Sequence, residues 1–262
     1  MRNKVLIYRD YGCSDINNLY DGLVSYFENT KIDVGFVDAS EIIKEDALNE
    51  DVLAFFLPGG ASTPFRMKLK TQGDAKIKEY VENGGVYFGI CAGAYYACSS
   101  INFENGIPEL HIKTDEALKF INAEAVGTLR KQLNIAPYSK SADSARAVSI
   151  KWMEDDESHV CYYHGGPYFN VEGNNAKVLA VYEGIENNAL PAVVSSQYGK
   201  GMVIASGVHF EDTGKQLGKA VHLLRRDYGQ ARKNALVLEK NEESRKALFN
   251  KLMSSIGCIK YR

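Results

Sequence analysis

The sequence predicts an α/β fold built on a mostly parallel sheet flanked by helices. Two observations lead there. Apolar runs of strand length occupy residues 5–8, 34–37, 52–57 and 86–90, and segments with helical apolar spacing separate them. Strands that are apolar on both faces and alternate with helices pair in parallel through right-handed crossovers.

The elements follow in order. Residues 5–8 form the first strand, and Ile16, Leu19, Tyr20, Leu23, Tyr26 and Phe27 recur at helical spacing after it. The second strand is 34–37, and Ile42, Ile43, Ala47 and Leu48 mark a short helix. The third strand, 52–57, is broken by Pro58-Gly59-Gly60. Asp74 is expected to cap a helix whose buried stripe is Ile77, Tyr80 and Val81, with Asn83-Gly84-Gly85 closing it. The fourth strand, 86–90, runs directly into Gly89-Ile90-Cys91-Ala92-Gly93 and a helix start.

From 102 to 144 the pattern is weak, with one helix expected around 116–120. Strand-like runs then follow at 147–152, 159–163, 178–182, 192–197 and 202–206. Gly199-Lys200-Gly201 reads as the turn of a hairpin joining the last two, so antiparallel pairing is expected at this end of the sheet. Residues 214–228 and 239–253 read as two helices, forming a C-terminal extension over 213–262. With no repeat and no linker, residues 1–262 are expected to be a single domain.

The composition narrows the function classes. A formal net charge of −2 over 262 residues gives no electrostatic reason to expect nucleic acid or an anionic membrane as partner. The densest basic patch, from Arg225-Arg226 to Lys233, reads as a solvated helix face. No apolar stretch approaches the ~18 residues needed to span a bilayer, and a cytoplasmic location is expected. Cys13, Cys91, Cys98, Cys161 and Cys258 are odd in number and widely spaced, which fits neither a disulfide framework nor a zinc site. The motifs require neither a cofactor nor a metal.

Cys91 is the first candidate for chemistry. A thiol on a tight strand-to-helix turn stands above the sheet with backbone N–H groups where an oxyanion would form. It needs a base, and that base needs an orienting group. His209 and Glu211, two apart after the strand at 202–206, lie on one side of an extended chain, so Glu211 reaches the far ring nitrogen while the near one faces the thiol. Gly59, Gly60 and Ala92 offer backbone groups to an oxyanion. His164, with Gly165 and Gly166 in the run Tyr162-Tyr163-His164-Gly165-Gly166-Pro167, is a competing base and a substrate-pocket candidate. His111, His159 and His222 have no supporting context.

Pro58-Gly59-Gly60, the cysteine turn, Tyr198-Gly199-Lys200-Gly201 and Ser206-Gly207-Val208-His209-Phe210-Glu211 follow the order seen in class I glutamine amidotransferases. The chain resembles, more narrowly, the amino-terminal domain of biotin–protein ligases. That closer match rests on Ile7-Tyr8-Arg9-Asp10 and on residues 57–61, 77–85, 89–96 and 162–169. The resemblance implies a flavodoxin-like fold with an antiparallel extension and C-terminal helices. It implies Cys91 as nucleophile, His209 as base and Glu211 as its partner, with Gly59, Gly60 and Ala92 at the oxyanion site. No ligase catalytic domain follows and no Gly-Arg-Gly run occurs, so direct biotin transfer is not expected. A complete amidotransferase would need a separate synthetase or ligase protein. The expectation is a cysteine hydrolase acting on a small molecule with an amide or related acyl carbon, through a thioester. The alternative is a non-catalytic binding or regulatory module using the same pocket.

Overall fold

The computed structural model describes residues 2–14, 16–115, 118–185, 189–221 and 228–257. The first third alternates as expected: β1 (Lys4–Tyr8), α1 (Ile16–Phe27), β2 (Asp33–Val37), α2 (Ala39–Lys44), β3 (Val52–Leu57), α3 (Ser62–Glu82), β4 (Val86–Ile90) and α4 (Ala92–Ala97). β3 and β4 are buried at every residue, the burial expected of continuous apolar runs. Then come β5 (Cys98–Phe103), β6 (Ile112–Asp115), β7 (Ile121–Gly127), α5 (Arg130–Leu133), β8 (Ala145–Trp152), β9 (Ser158–His164), β10 (Tyr168–Val171), β11 (Ala176–Tyr182), β12 (Pro191–Tyr198) and β13 (Gly201–Ser206). Three helices end the chain: α6 (Gly214–Val221), α7 (Tyr228–Lys240) and α8 (Glu242–Gly257).

Among the described residues the main sheet has nine strands in the order β2-β1-β3-β4-β13-β12-β11-β8-β9. Pairing is parallel from β2 to β13 and antiparallel from β13 to β9. The expected hairpin closes with Tyr198 opposite Gly201, and β13 then lies parallel to β4 with Ser206 opposite Ile90. This register brings the end of β13 beside the cysteine turn. Apolar side chains cover both faces of the sheet. One cluster includes Ile7, Phe56, Phe88 and Ile204, the other Phe55, Leu57, Tyr87 and Val203. Leu248, Leu252, Met253 and Ile256 of α8 belong to the first cluster, so the last helix shares the core of the sheet.

Three features differ from the sequence reading. Asp74 does not cap a helix: α3 begins at Ser62, breaks at Lys70 (φ 54°) and continues past Asp74. The Asp74 carboxylate is buried and accepts a 2.7 Å hydrogen bond from the Tyr96 hydroxyl, and burial raises its pKa above the usual carboxylate range. The weakly patterned stretch after residue 102 is not mostly loop. Together with β5 and β10 it builds a second, four-stranded sheet in the order β10-β7-β5-β6. The helix expected around 116–120 begins at residues 116–117, which lie outside the described residues, and 118–120 are an irregular lead into β7. Among the described residues the C-terminal segment holds three helices where two are expected, and the join between the first two lies outside the described residues.

Cys13 is half-buried and Cys98 and Cys161 are buried. Burial pushes the Cys13 thiol up to about 11 and raises Cys161 further. Cys258, His222 and Arg225-Arg226 lie outside the described residues, and the rest of the basic patch, Arg232 and Lys233, is exposed on α7. Among the described residues no helix is long and apolar enough to cross a membrane.

Leu252→Ala tests the docking of α8. Truncating a fully buried Leu costs about 2–5 kcal/mol, and urea unfolding should show that loss. A cost below about 0.5 kcal/mol, the range of surface substitutions, would mean that α8 is not part of the core.

Candidate active site

The thiol owes its position to a strained turn. Cys91 has φ 49° and ψ −104°, a conformation that costs a non-glycine residue about 1–3 kcal/mol and persists only when neighbours over-determine it. Here they do. The Cys91 N–H extends the β4–β13 ladder to the Ser206 carbonyl at 2.9 Å, and its own carbonyl accepts from the N–H groups of Ala94 and Tyr95, each at 3.0 Å. Gly93 donates to the Pro58 carbonyl at 3.2 Å, and a Cβ on it would stand 2.0 Å from the Leu57 carbonyl oxygen. Only glycine lets α4 seat so closely on the end of β3.

His209 reaches the thiol from β13. After Ser206 the chain leaves β13 and pairs with β9. The His209 N–H donates to the Tyr162 carbonyl at 2.8 Å, and the Tyr162 N–H returns the bond at 3.3 Å. The backbone of the base is therefore fixed from two strands. Its Nδ1 lies 2.8 Å from Glu211 Oε1, and Cys91 is near enough to the same ring to help raise its pKa. A Cβ on Gly59 would stand 2.8 Å from His209 Cε1, so Gly59 clears space for the imidazole. The Cys91 Sγ also lies 3.6 Å from the His164 carbonyl oxygen.

The site concentrates negative charge in the dry interior. His209, Glu211 and Asp212 are all buried. Asp212, which the sequence reading passed over, brings Oδ2 to 3.8 Å from His209 Nδ1 and accepts from the Asn18 amide at 2.6 Å. Its one sequence signal is its place directly after Glu211. Among the described residues Glu211 Oε2 has no hydrogen-bond partner. Burial alone would push the imidazole pKa down. The charge of Glu211, its hydrogen bond to the ring and the neighbouring Cys91 side chain act the other way and hold it well above the ordinary histidine value. The donor atoms of His209, Glu211 and Asp212 lie within 4.8 Å of one another, a spacing that could hold a cation. A metal on Nδ1 would have to displace the 2.8 Å bond to Glu211.

Gly60 has φ 136°, and a Cβ on it would lie 1.9 Å from the Gly12 carbonyl oxygen. The strap at Gly12–Ser14 fixes it, through Ala61 N–H to the Gly12 carbonyl and Ser14 N–H to the Gly59 carbonyl, both at 3.0 Å. Among the described residues the N–H groups of Gly60 and Ala92 donate to no backbone carbonyl. Both residues line a cavity of about 160 Å³ beside Cys91. Preorganised N–H donors of this kind stabilise a developing oxyanion.

The other candidates separate. Gly165 lines the cavity beside Cys91, with its carbonyl accepting from the Tyr95 hydroxyl at 3.0 Å. His164 presents its carbonyl to the thiol, while its Nε2 lies 2.8 Å from the Ser139 carbonyl oxygen and 3.2 Å from Ser144 Oγ. That nitrogen faces Ser139 and Ser144 rather than Cys91, and His164 also lines the small pocket that Cys91 and His209 share. Gly166 lies outside the cavity lining: a Cβ there would stand 2.0 Å from the Gly207 carbonyl oxygen, so it is a packing position. The sequence reading missed the cavity wall made by Tyr95, Ile101, Phe103, Ile112 and Tyr138. It also missed the anchor of that wall. The buried Glu104 carboxylate accepts from the Tyr138 N–H at 2.6 Å and Thr128 Oγ1 at 2.9 Å, and pairs with Arg130 at 3.2 Å.

Comparison with known proteins places this geometry in context. The family model described as "Biotin-protein ligase, N terminal" matches residues 3–260. An uncharacterized protein of Chlamydia muridarum is 28% identical over 212 residues, covering 79% of this chain and 80% of that protein. The biotin–protein ligase of Schizosaccharomyces pombe is 28% identical over 214 residues, covering 79% of this chain and 33% of the ligase. The aligned region is therefore about a third of the ligase's length. Among solved structures, a glutamine amidotransferase from Thermotoga maritima superposes with a TM-score of 0.58 at 14% identity, covering 98% of this chain and 96% of that one. A second glutamine amidotransferase gives 0.55 at 21% identity, covering 79% and 90%. At these identities the structural likeness is one of fold.

The charge balance predicts a pH dependence. A histidine pKa raised by folding adds stability that is complete below the ordinary value of about 6.5 and is lost as pH rises through the folded value. Urea unfolding of the wild type should therefore show stability falling as pH climbs above about 6.5. Glu211→Gln removes the main cause of the raised pKa, and its fall should be distinctly shallower. Equal slopes for the two proteins would contradict the assigned pairing.

Proposed function

The chain belongs to the biotin-protein ligase N-terminal family, and on that premise we propose that it is an amidotransferase-like cysteine hydrolase acting on an amide or related acyl carbon. One observation carries the reading: the His209 imidazole, held through Nδ1 by Glu211 at 2.8 Å, is a near neighbour of Cys91, whose side chain helps to raise its pKa. The strained Cys91 backbone adds support, as do the N–H groups of Gly60 and Ala92, which among the described residues donate to no backbone carbonyl.

In this mechanism the Cys91 thiol proton passes to His209, and the sulfur attacks the acyl carbon. The carbonyl oxygen takes up negative charge against the N–H groups of Gly60 and Ala92. The imidazolium, held by Glu211, returns the proton to the departing amine or alcohol, leaving a thioester on Cys91. Water or an amine, deprotonated by His209, then attacks the thioester. Collapse of the second tetrahedral intermediate frees the acid or new amide, and the sulfur recovers its proton from His209. Glu211 keeps the ring in the tautomer this cycle needs.

A chromogenic ester such as p-nitrophenyl acetate tests the reading. The wild type should release nitrophenolate with an acetyl adduct on Cys91, visible by intact mass, and Cys91→Ser should show neither. His209→Gln should slow acylation by roughly 10²–10⁴-fold, the usual contribution of a general base. If neither wild type nor variant is acylated, while small-molecule affinity in Cys91→Ala stays unchanged, the pocket binds without turnover and the proposal fails.

A further inference from the structure

The space around Cys91 has two unequal lobes. One is the 160 Å³ cavity, walled by Tyr95, Ile101, Phe103, Ile112 and Tyr138, with Ser62 and Thr63 also in its lining. Among the described residues no charged side chain lines it. The second lobe is only about 30 Å³ and polar, with Ser14, Tyr162, His209 and Asp212 in its lining. Cys91, Gly60 and Tyr138 border both, so the thiol and one oxyanion donor stand where the lobes meet. Tyr138 is the partition. Its N–H is held by Glu104, and its ring packs against Phe103 and His164, with centroids 5.4 Å away in each case.

Each lobe restricts what can react. A free amino acid such as glutamine carries an ammonium and a carboxylate. In this lining they would meet only neutral hydroxyls, backbone and apolar walls, with no charged side chain among the described residues to pair either, which is unfavourable. A short aliphatic or aromatic acyl group loses nothing by entering and gains from each methylene buried. The small lobe, with the base at its wall, has room for about one or two water molecules. From these two shapes, and resting on the reading of Cys91 as nucleophile, we infer that the substrate is a neutral amide or ester of a short apolar or aromatic acyl group, hydrolysed by water, and that free glutamine is not the substrate. The balance is simple. Cys91 sulfur bonds to the acyl carbon as the amine or alcohol leaves with the thiol proton. Water then restores the thiol and releases the carboxylic acid. No other reactant is needed.

The test compares p-nitrophenyl acetate, butyrate and phenylacetate with L-glutamine and the glutamine analogue 6-diazo-5-oxo-L-norleucine, on wild type, Cys91→Ser and Phe103→Ala. Two added methylenes should raise kcat/KM for butyrate over acetate by roughly tenfold, with phenylacetate also turned over. Glutamine should yield no ammonia and the analogue no adduct. Cys91→Ser should lose all turnover, and Phe103→Ala, which thins the wall without touching the triad, should weaken the preference for butyrate. Ammonia release from glutamine, or an analogue adduct on Cys91, would overturn the inference while leaving the nucleophile assignment intact. So would ester turnover that does not rise with acyl length. Absence of any Cys91 adduct from every compound would overturn the nucleophile assignment itself, and the inference with it.

Discussion

The architecture of the site depends on the parallel pairing of β13 with β4. Its register sets Ser206 opposite Ile90. The residue after Ile90 is the thiol, and the chain three residues beyond Ser206 carries the base. β13 enters from a hairpin with β12, so the antiparallel half of the sheet delivers its last strand to the edge of the parallel half, beside β4. A one-residue slip would turn every β13 side chain to the opposite face, exchanging the buried sets on the two sides of the sheet. The core therefore defends the register that the site uses. The Cys91 N–H bond to Ser206 ties the strained turn into the same ladder, so strain at the thiol is offset by pairing in the sheet.

Around that frame the electrostatics follow from burial. Two carboxylates and one imidazole are buried together, and the imidazole lies within ion-pair distance of both. A ring that takes up a proton here gains attraction that a solvated histidine would not, because the local dielectric is low. Asn18 satisfies one oxygen of Asp212 without adding charge. The oxyanion side carries no charged group of its own and relies on backbone N–H groups held by the Gly12–Ser14 strap and the start of α4. Charge collects on the side of the base and neutral dipoles on the side of the acyl oxygen. The wall beyond is apolar.

What could be read from the sequence depended on how local its signal was. β3 and β4 announce themselves because strands buried on both faces need unbroken apolar runs. The cysteine turn and the His209–Glu211 pair were legible because glycine requirements and two-residue spacing are local. The second sheet was not. β6 is four residues long and exposed along nearly its whole length, and β5 follows α4 with no intervening loop, so neither shows a period long enough to read. Glu104 and Tyr138 were invisible for a related reason: their contact joins positions far apart in the chain. Asp74 misled because an acidic residue before an apolar stripe looks like a cap, whereas here it partners Tyr96 from inside a broken helix. His164, singled out by its glycine-rich setting, lines the small pocket beside Cys91, but it offers the thiol its carbonyl and turns its Nε2 to Ser139 and Ser144.

The central claim is that Glu211 and Cys91 act on one imidazole, that of His209. Nitrogen-15 NMR of the labelled histidine ring tests it most directly, followed against pH before and after Cys91 is blocked by alkylation. The account predicts an Nδ1 that stays protonated across neutral pH, a ring that titrates well above the ordinary value of about 6.5, and a clear downward shift of that titration once the thiol is blocked. A His209 ring that titrates near 6.5 and is indifferent to the state of Cys91 would contradict it.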